Sequence, residues 1–267
     1  MSVFLPFAIT AAAASVVFCL AKGFAGFMLA VMLVVMAAAF LAGLLFLFAL
    51  FILLMSALAG DGQGKKYSVL YGRTITSFMG LVCALSNVRI HISGEGKIPQ
   101  GPFLFVSNHL SGYDPIVTGW ALRHRRLAFI SKPENMALPV VGRICRRACY
   151  LAIDRENDRA ALRTILEAAE LMKSGEASFG IYPEGTRSRT GELLPFRSGA
   201  FKIAQRAKAP IVVATVRGTD RIHRRAPLRK TDVYLDIRAV IPADEVCAVK
   251  TTELGERIRG IMLCESD

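Results

Sequence analysis

Between Met1 and Gly60 the chain carries a single charged side chain, Lys22, and no other feature restricts its folding as much. Val3–Ala21 is 19 residues without a charge, and Phe24–Ala59 is another 36. A bilayer hydrocarbon core of about 30 Å is crossed by about 20 apolar helical residues. Residues 1–60 therefore read as a membrane anchor with the length of two transmembrane helices, joined near Lys22–Gly26. One long tilted helix preceded by an interfacial segment is the alternative. "SALAG" at 56–60 looks like a signal-peptide cleavage site. The apolar stretch, however, is several times the length of a signal-peptide core, about 7–15 residues, so an uncleaved anchor is expected.

The rest of the chain holds 32 of the 33 Lys and Arg and all 21 Asp and Glu, a formal charge of +11. Basicity belongs to the part outside the membrane. Lys65, Lys66 and Arg73 follow the anchor directly, and the positive-inside tendency puts that side in the cytosol. Six cysteines are scattered along the sequence. Cys145 and Cys149, four apart, match neither a redox pair nor half of a zinc site, so buried reduced thiols are expected.

Residues 61–87 read as an interfacial helix and its connection, and 88–267 as one α/β domain. "VRIHI" (88–92) is a strand and "GEGKIPQGP" (94–102) a turn-rich loop. "FLFVS" (103–107) is a short continuous apolar run, as in a strand buried on both faces. "DPIVTGWAL" (114–122) opens on a capping aspartate and a proline, a helix start. Further strands are read at 127–131, 150–153, 177–182, 210–216 and 233–241. Between them lie a helix over 138–148 and a long one capped by Asp158 and running to about Ser174, with a last helix near 251–264. In the long helix Leu162, Ile165, Leu166, Ala169 and Met172 form one apolar face. Alternating strands and helices predict a largely parallel sheet flanked by helices.

In such sheets ligands bind beyond the carboxyl ends of strands, and two polar clusters fall there. "NHLSGYD" (108–114) follows the strand at 103–107. An imidazole ordinarily titrates near neutrality, so a histidine here suits a general base, and His109 is the candidate. Asp114, brought back by a turn through Ser111–Gly112, can accept from the other ring nitrogen. "PEGTRSRTGELLPFRSG" (183–199) follows the strand at 177–182 and offers anion chemistry. Thr186 supplies a hydroxyl, Arg187 a bidentate guanidinium, and Gly185 close backbone approach. Glu184 would orient Arg187 or accept from a substrate hydroxyl. His91, His124 and His223 form no metal-ligand pattern with His109 and Asp114, and Ser107 and Ser111 lie in no nucleophile elbow.

Four blocks in order carry a resemblance: "NHLSGYD" (108–114), "KPENMALPVVG" (132–142) with "IDR" (153–155), "YPEGTRS" (182–188) and "APIVVATVRG" (209–218). Over residues 88–220 the chain resembles the glycerolipid acyltransferase family. It departs at Asn135, where leucine is usual, and at Val213, where a second proline is common. The resemblance implies transfer of a fatty acyl group from acyl-CoA or acyl carrier protein to a lysophospholipid, lysophosphatidic acid foremost, at a bacterial-type inner or plasma membrane. His109 would take the hydroxyl proton, and Asp114 would hold His109. Arg187 would bind the acceptor phosphate, with Thr186, Gly185 and Glu184 shaping its pocket. Arg155 would add positive charge, and Lys132 and Asn108 are lesser candidates. No metal or organic cofactor is implied, because a thioester is already activated. Other lyso-lipid acceptors such as lyso-ornithine lipid, a membrane-bound hydrolase, and a non-catalytic lipid-binding or scaffold protein are the rival readings. The basic clusters "RHRR" (123–126), "RICRR" (143–147) and "RIHRRAPLRK" (221–230) face anionic headgroups, an acidic carrier or solvent. Nucleic acid is disfavoured, because no aromatics are interleaved with the basic residues.

Overall fold

The computed structural model describes residues 10, 13, 14, 16–18, 20, 27–60, 66–154 and 156–264. The chain divides into two compact units, Met1–Leu58 and Ala59–Asp267. Most of the expected first span, Val3–Ala21, lies outside the described residues. In the first unit α1 runs over Phe27–Ala59, 33 residues with no charge. At 1.5 Å per residue it is about 50 Å long, and by length and composition it can cross a membrane.

The second unit opens with α2 (Val69–Leu85), which buries Tyr71, Ile75, Met79 and Cys83. Its opposite side leaves Leu70, Phe78 and Leu85 exposed, so both faces of this helix are apolar. Seven strands follow: β1 (Val88–Ser93), β2 (Leu104–Ser107), β3 (Leu127–Ser131), β4 (Leu151–Ala152), β5 (Ser178–Ile181), β6 (Ile211–Arg217) and β7 (Thr231–Ile241). They form one sheet in the order β1-β7-β6-β2-β5-β3-β4. Every pair is parallel except β6 with β7. All four residues of β2 are fully buried, as a central strand covered on both faces must be.

The remaining helices are α3 (Asp114–Ala121), α4 (Pro133–Met136), α5 (Val141–Arg147), α6 (Asp158–Lys173), α7 (Lys202–Ala207), α8 (Ile222–Arg225), α9 (Ala243–Ala248) and α10 (Thr251–Leu263). Helices α3 and α5 both pack on α2, and α6 and α9 both meet α7.

Four local readings change. The helix expected over 138–148 is α5, at Val141–Arg147, and a short helix, α4, precedes it where none was expected. Pro133 opens α4, and residues 138–140 form the turn between the two. Asp158 does not cap α6. Asn157 does, its side chain accepting from the Ala160 amide at 3.1 Å. Asp114 lies inside the first turn of α3 rather than capping it, because its carboxylate is engaged with the preceding loop. The apolar face expected on α6 is half right: Ile165, Ala169 and Met172 are buried, whereas Leu162 and Leu166 are exposed.

Candidate active site

Strand order brings together motifs that lie far apart in the sequence. β6, β2, β5 and β3 are parallel neighbours, and in register Val106 of β2 sits beside Ile181 of β5. Their carboxyl ends therefore form one rim. His109 follows β2, Tyr182 to Arg187 follow β5, Lys132 follows β3, and Thr219 follows β6.

His109 Nδ1 lies 2.7 Å from Asp114 Oδ2. The same oxygen accepts from the Leu110 and Ser111 amides at 2.7 and 2.8 Å. Oδ1 accepts from the Thr219 hydroxyl at 2.5 Å. Asp114 is fully buried, so these donors replace the water its carboxylate has lost. Surrounded by donors, the carboxylate acts as an acceptor, so Nδ1 carries the ring hydrogen and Nε2 keeps its lone pair. The Tyr182 ring stacks on the imidazole at 4.4 Å between centroids, and the Phe129 ring lies parallel beyond it at 6.1 Å. The edge of His109 is fixed by Asp114 and its face by Tyr182.

Glu184 braces the two loops against each other. Oε1 accepts from the His109 amide at 2.7 Å, and Oε2 from the Leu194 amide at 2.9 Å. The Ser188 amide in turn donates to the His109 carbonyl at 2.8 Å. Burial raises the carboxyl of Glu184 above its ordinary range, and the two amide donors partly offset this. Both oxygens are thus engaged with backbone, and among the described residues no ion pair joins Glu184 to Arg187. Asn108 is also spent on backbone: its amide donates to the Val216 carbonyl at 3.0 Å, and its oxygen accepts from the Val216 amide at 2.7 Å. That pair staples the end of β2 to β6.

A cleft of about 910 Å³ opens beside His109. Its lining includes Arg187, Arg197, Lys132 and Lys202 together with Gly185 and Thr186. None of these four cations is paired with a carboxylate among the described residues. Apolar Phe129, Ile130, Ile153, Leu162, Ile165 and Ile203 line the same cleft. This explains the exposure of Leu162: it faces open space inside the cleft. Gly185 has φ of +73°, and a Cβ there would lie 2.9 Å from Arg197 Nε. Only glycine combines that conformation with so close an arginine. Arg155 lies outside the described residues.

Tyr182, Arg197, Lys202 and Thr219 had no role in the sequence reading. Tyr182 and Thr219 stand inside or beside recognised blocks, and Arg197 and Lys202 follow the third, but which way each points is not written in the spacing.

The chain matches the family model described as Acyltransferase over residues 89–217. It is 31% identical over 173 residues to a 1-acyl-sn-glycerol-3-phosphate acyltransferase of Limnanthes douglasii, a match covering 65% of this chain and 60% of the relative. The α/β unit belongs to the glycerolipid acyltransferase family. Another relative, 1-acyl-sn-glycerol-3-phosphate acyltransferase alpha of Homo sapiens, is 28% identical over 182 residues, 67% of this chain and 64% of the relative. This family member spans about 60% of the length of the curated relatives it matches. Its fold is similar to the crystal structure of the LPA acyltransferase PlsC from Thermotoga maritima. The TM-score is 0.60 at 23% identity, covering 81% of this chain and 86% of that one. Within the glycerolipid acyltransferase fold, two of the blocks that carry the family likeness, 108–114 and 182–188, are loops of the rim described above.

Proposed function

We propose that this protein transfers a fatty acyl group from a thioester, acyl-CoA or acyl carrier protein, to the sn-2 hydroxyl of 1-acyl-glycerol-3-phosphate, giving phosphatidic acid at a membrane surface. One observation carries this reading: His109 and Arg187 line a single cleft whose lining combines four cations with a set of apolar side chains. An amphiphile with an anionic head and acyl chains fits such a lining.

The acceptor phosphate binds to the cations of the cleft. Arg187 offers a planar pair of donors matched to phosphate, and Arg197, Lys132 and Lys202 line the same cleft. His109 Nε2 takes the proton of the acceptor hydroxyl as its oxygen bonds to the thioester carbonyl carbon. The tetrahedral adduct collapses, the carbon–sulfur bond breaks, and the proton passes from His109 to the departing thiolate. Asp114 stabilises the imidazolium formed in between. Transfer is direct, because no hydroxyl or thiol nucleophile is hydrogen-bonded to His109 among the described residues.

The lipid substrate gives the apolar surfaces a use. α1 holds the enzyme at the bilayer, and the outward apolar side of α2 supports an interfacial position for that helix. Lys66 and Arg73 beyond α1 favour the cytosolic side for the α/β unit.

The test uses the full-length protein in membranes, a labelled acyl donor and a panel of lyso-lipid acceptors. His109→Ala should lower kcat by about 10²–10⁴-fold. Arg187→Ala should raise the KM for a phosphate-bearing acceptor by about ten- to a hundred-fold, leaving the donor KM unchanged. Near-normal turnover by folded His109→Ala removes the general base from this account. Equal use of acceptors with and without phosphate removes the acceptor assignment, and release of free fatty acid without acceptor indicates a hydrolase instead.

A further inference from the structure

We propose that residues 221–230 form a separate lipid contact, an apolar tip set among cations that docks on an anionic bilayer surface. The inference rests on the reading that α1 holds the protein at a membrane.

The segment is built, not loose. Ile222 of α8 is fully buried and packs with Cys83 of α2, Val117 of α3, Val216 of β6 and Val233 of β7, and Ala226 joins the same cluster. The Ala226 amide donates to the Ile222 carbonyl at 2.8 Å, and the Arg229 amide to the Arg225 carbonyl at 2.8 Å. The chain is then tied down where the Thr231 amide donates to the Asn87 carbonyl at 3.0 Å. Between these ties Leu228 stands 90% exposed, more than any other large apolar side chain among the described residues. The core beneath holds this leucine out in water at a hydration cost that a lone surface contact does not offset.

Cations surround it. Residues 221–230 contain Arg221, His223, Arg224, Arg225, Arg229 and Lys230, and no carboxylate. Asp220 lies 3.9 Å from Arg224, and Asp232 lies 3.5 Å from Lys230. Arg221, Arg225 and Arg229 have no carboxylate partner among the described residues. Trp120 packs on the cluster that holds Ile222, and the Arg123 guanidinium lies 4.5 Å over its ring. A lone apolar tip with no apolar rim offers a protein partner little area to bury. A bilayer interface takes such a tip in any orientation, and anionic headgroups neutralise the cations around it. Nucleic acid would call for stacking aromatics beside the arginines, and the segment has none.

The full-length wild-type protein is reconstituted into vesicles of phosphatidylcholine alone, or with about a third phosphatidylglycerol, and the floated fraction is treated with trypsin. Each cation near an anionic surface strengthens association roughly five-fold. Cleavage after Arg225 and Arg229, relative to cleavage after exposed Lys250, should therefore slow at least about ten-fold in the anionic vesicles. A Leu228→Trp variant in a Trp120→Phe background makes residue 228 the only tryptophan. Its emission should shift to the blue and be quenched by brominated lipid in anionic vesicles only. Equal cleavage in both vesicle types, or a residue-228 tryptophan that stays open to aqueous quencher, overturns the proposal while leaving α1 as an anchor. Failure of the protein to float at all overturns the membrane reading of α1, and the proposal with it.

Discussion

Thr219 comes from 105 residues further along the chain to donate its hydroxyl to Asp114. Nothing in the sequence marks it, because threonine after a strand is ordinary and its partner is decided by which strand lies next to β2. His109 and Asp114 were visible because they share one short loop, so that spacing alone limits their geometry. In the proposed transfer Asp114 works only if its donors hold it still, which makes Thr219 a positioning residue. Thr219→Val should leave Oδ1 of Asp114 without its partner in a buried site, costing about 1–3 kcal/mol of stability, read as a lower thermal midpoint in detergent. It should also lower kcat about ten-fold with acceptor KM unchanged, and Thr219→Ser should restore both. A purely structural Thr219 would lower the midpoint and leave kcat alone. Glu184 makes the complementary point. A carboxylate beside a phosphate-binding loop reads from sequence as a substrate ligand, but its oxygens meet the His109 and Leu194 amides.

Elements with long, regular patterns were legible. α6, β2 and β6 lie within a residue or two of where periodicity and apolar runs put them, since burial imposes those patterns directly. Short elements were less so: α5 was expected a few residues too long, and the four residues of α4 were not expected as a helix at all, because so short a run shows no period. β7 was expected as a strand, but its antiparallel pairing with β6 depends on the connection through α8 and not on its own residues. Asn108 acts at this scale, holding the end of β2 to β6 through both groups of the Val216 backbone. Asn108→Ala leaves a buried amide and carbonyl unpaired, and should cost about 1–3 kcal/mol of stability. The His109 loop should loosen with it, so hydrogen exchange at the Leu110 and Ser111 amides should accelerate. Unchanged exchange there would make the staple irrelevant to the site.

Across the molecule, the thiols record which surfaces water reaches. Burial pushes the Cys83 thiol up to about 11 and the Cys149 thiol up to about 12, from an ordinary 9.0. Each folded value lies above the unfolded one, so the stabilising contribution is complete below about pH 9 and is lost as pH rises toward 11 or 12. The thermal midpoint should therefore fall between about pH 8 and pH 10.5. At about pH 8 iodoacetamide should modify exposed Cys247 and Cys264 and spare Cys83 and Cys149 until the protein unfolds. Mass mapping of early modification at Cys149 would contradict the buried placement. What the sequence determined by itself is what local composition controls: an uncharged N-terminal stretch suited to lipid, alternating strands and helices, and the chemical kinds of group at the strand ends. What only the tertiary structure decided is which of those groups meet. The order β6-β2-β5-β3 puts the ends of four strands, distant in the chain, along one rim. That order follows from how the whole sheet buries its faces, an energy summed over contacts that no single segment contains.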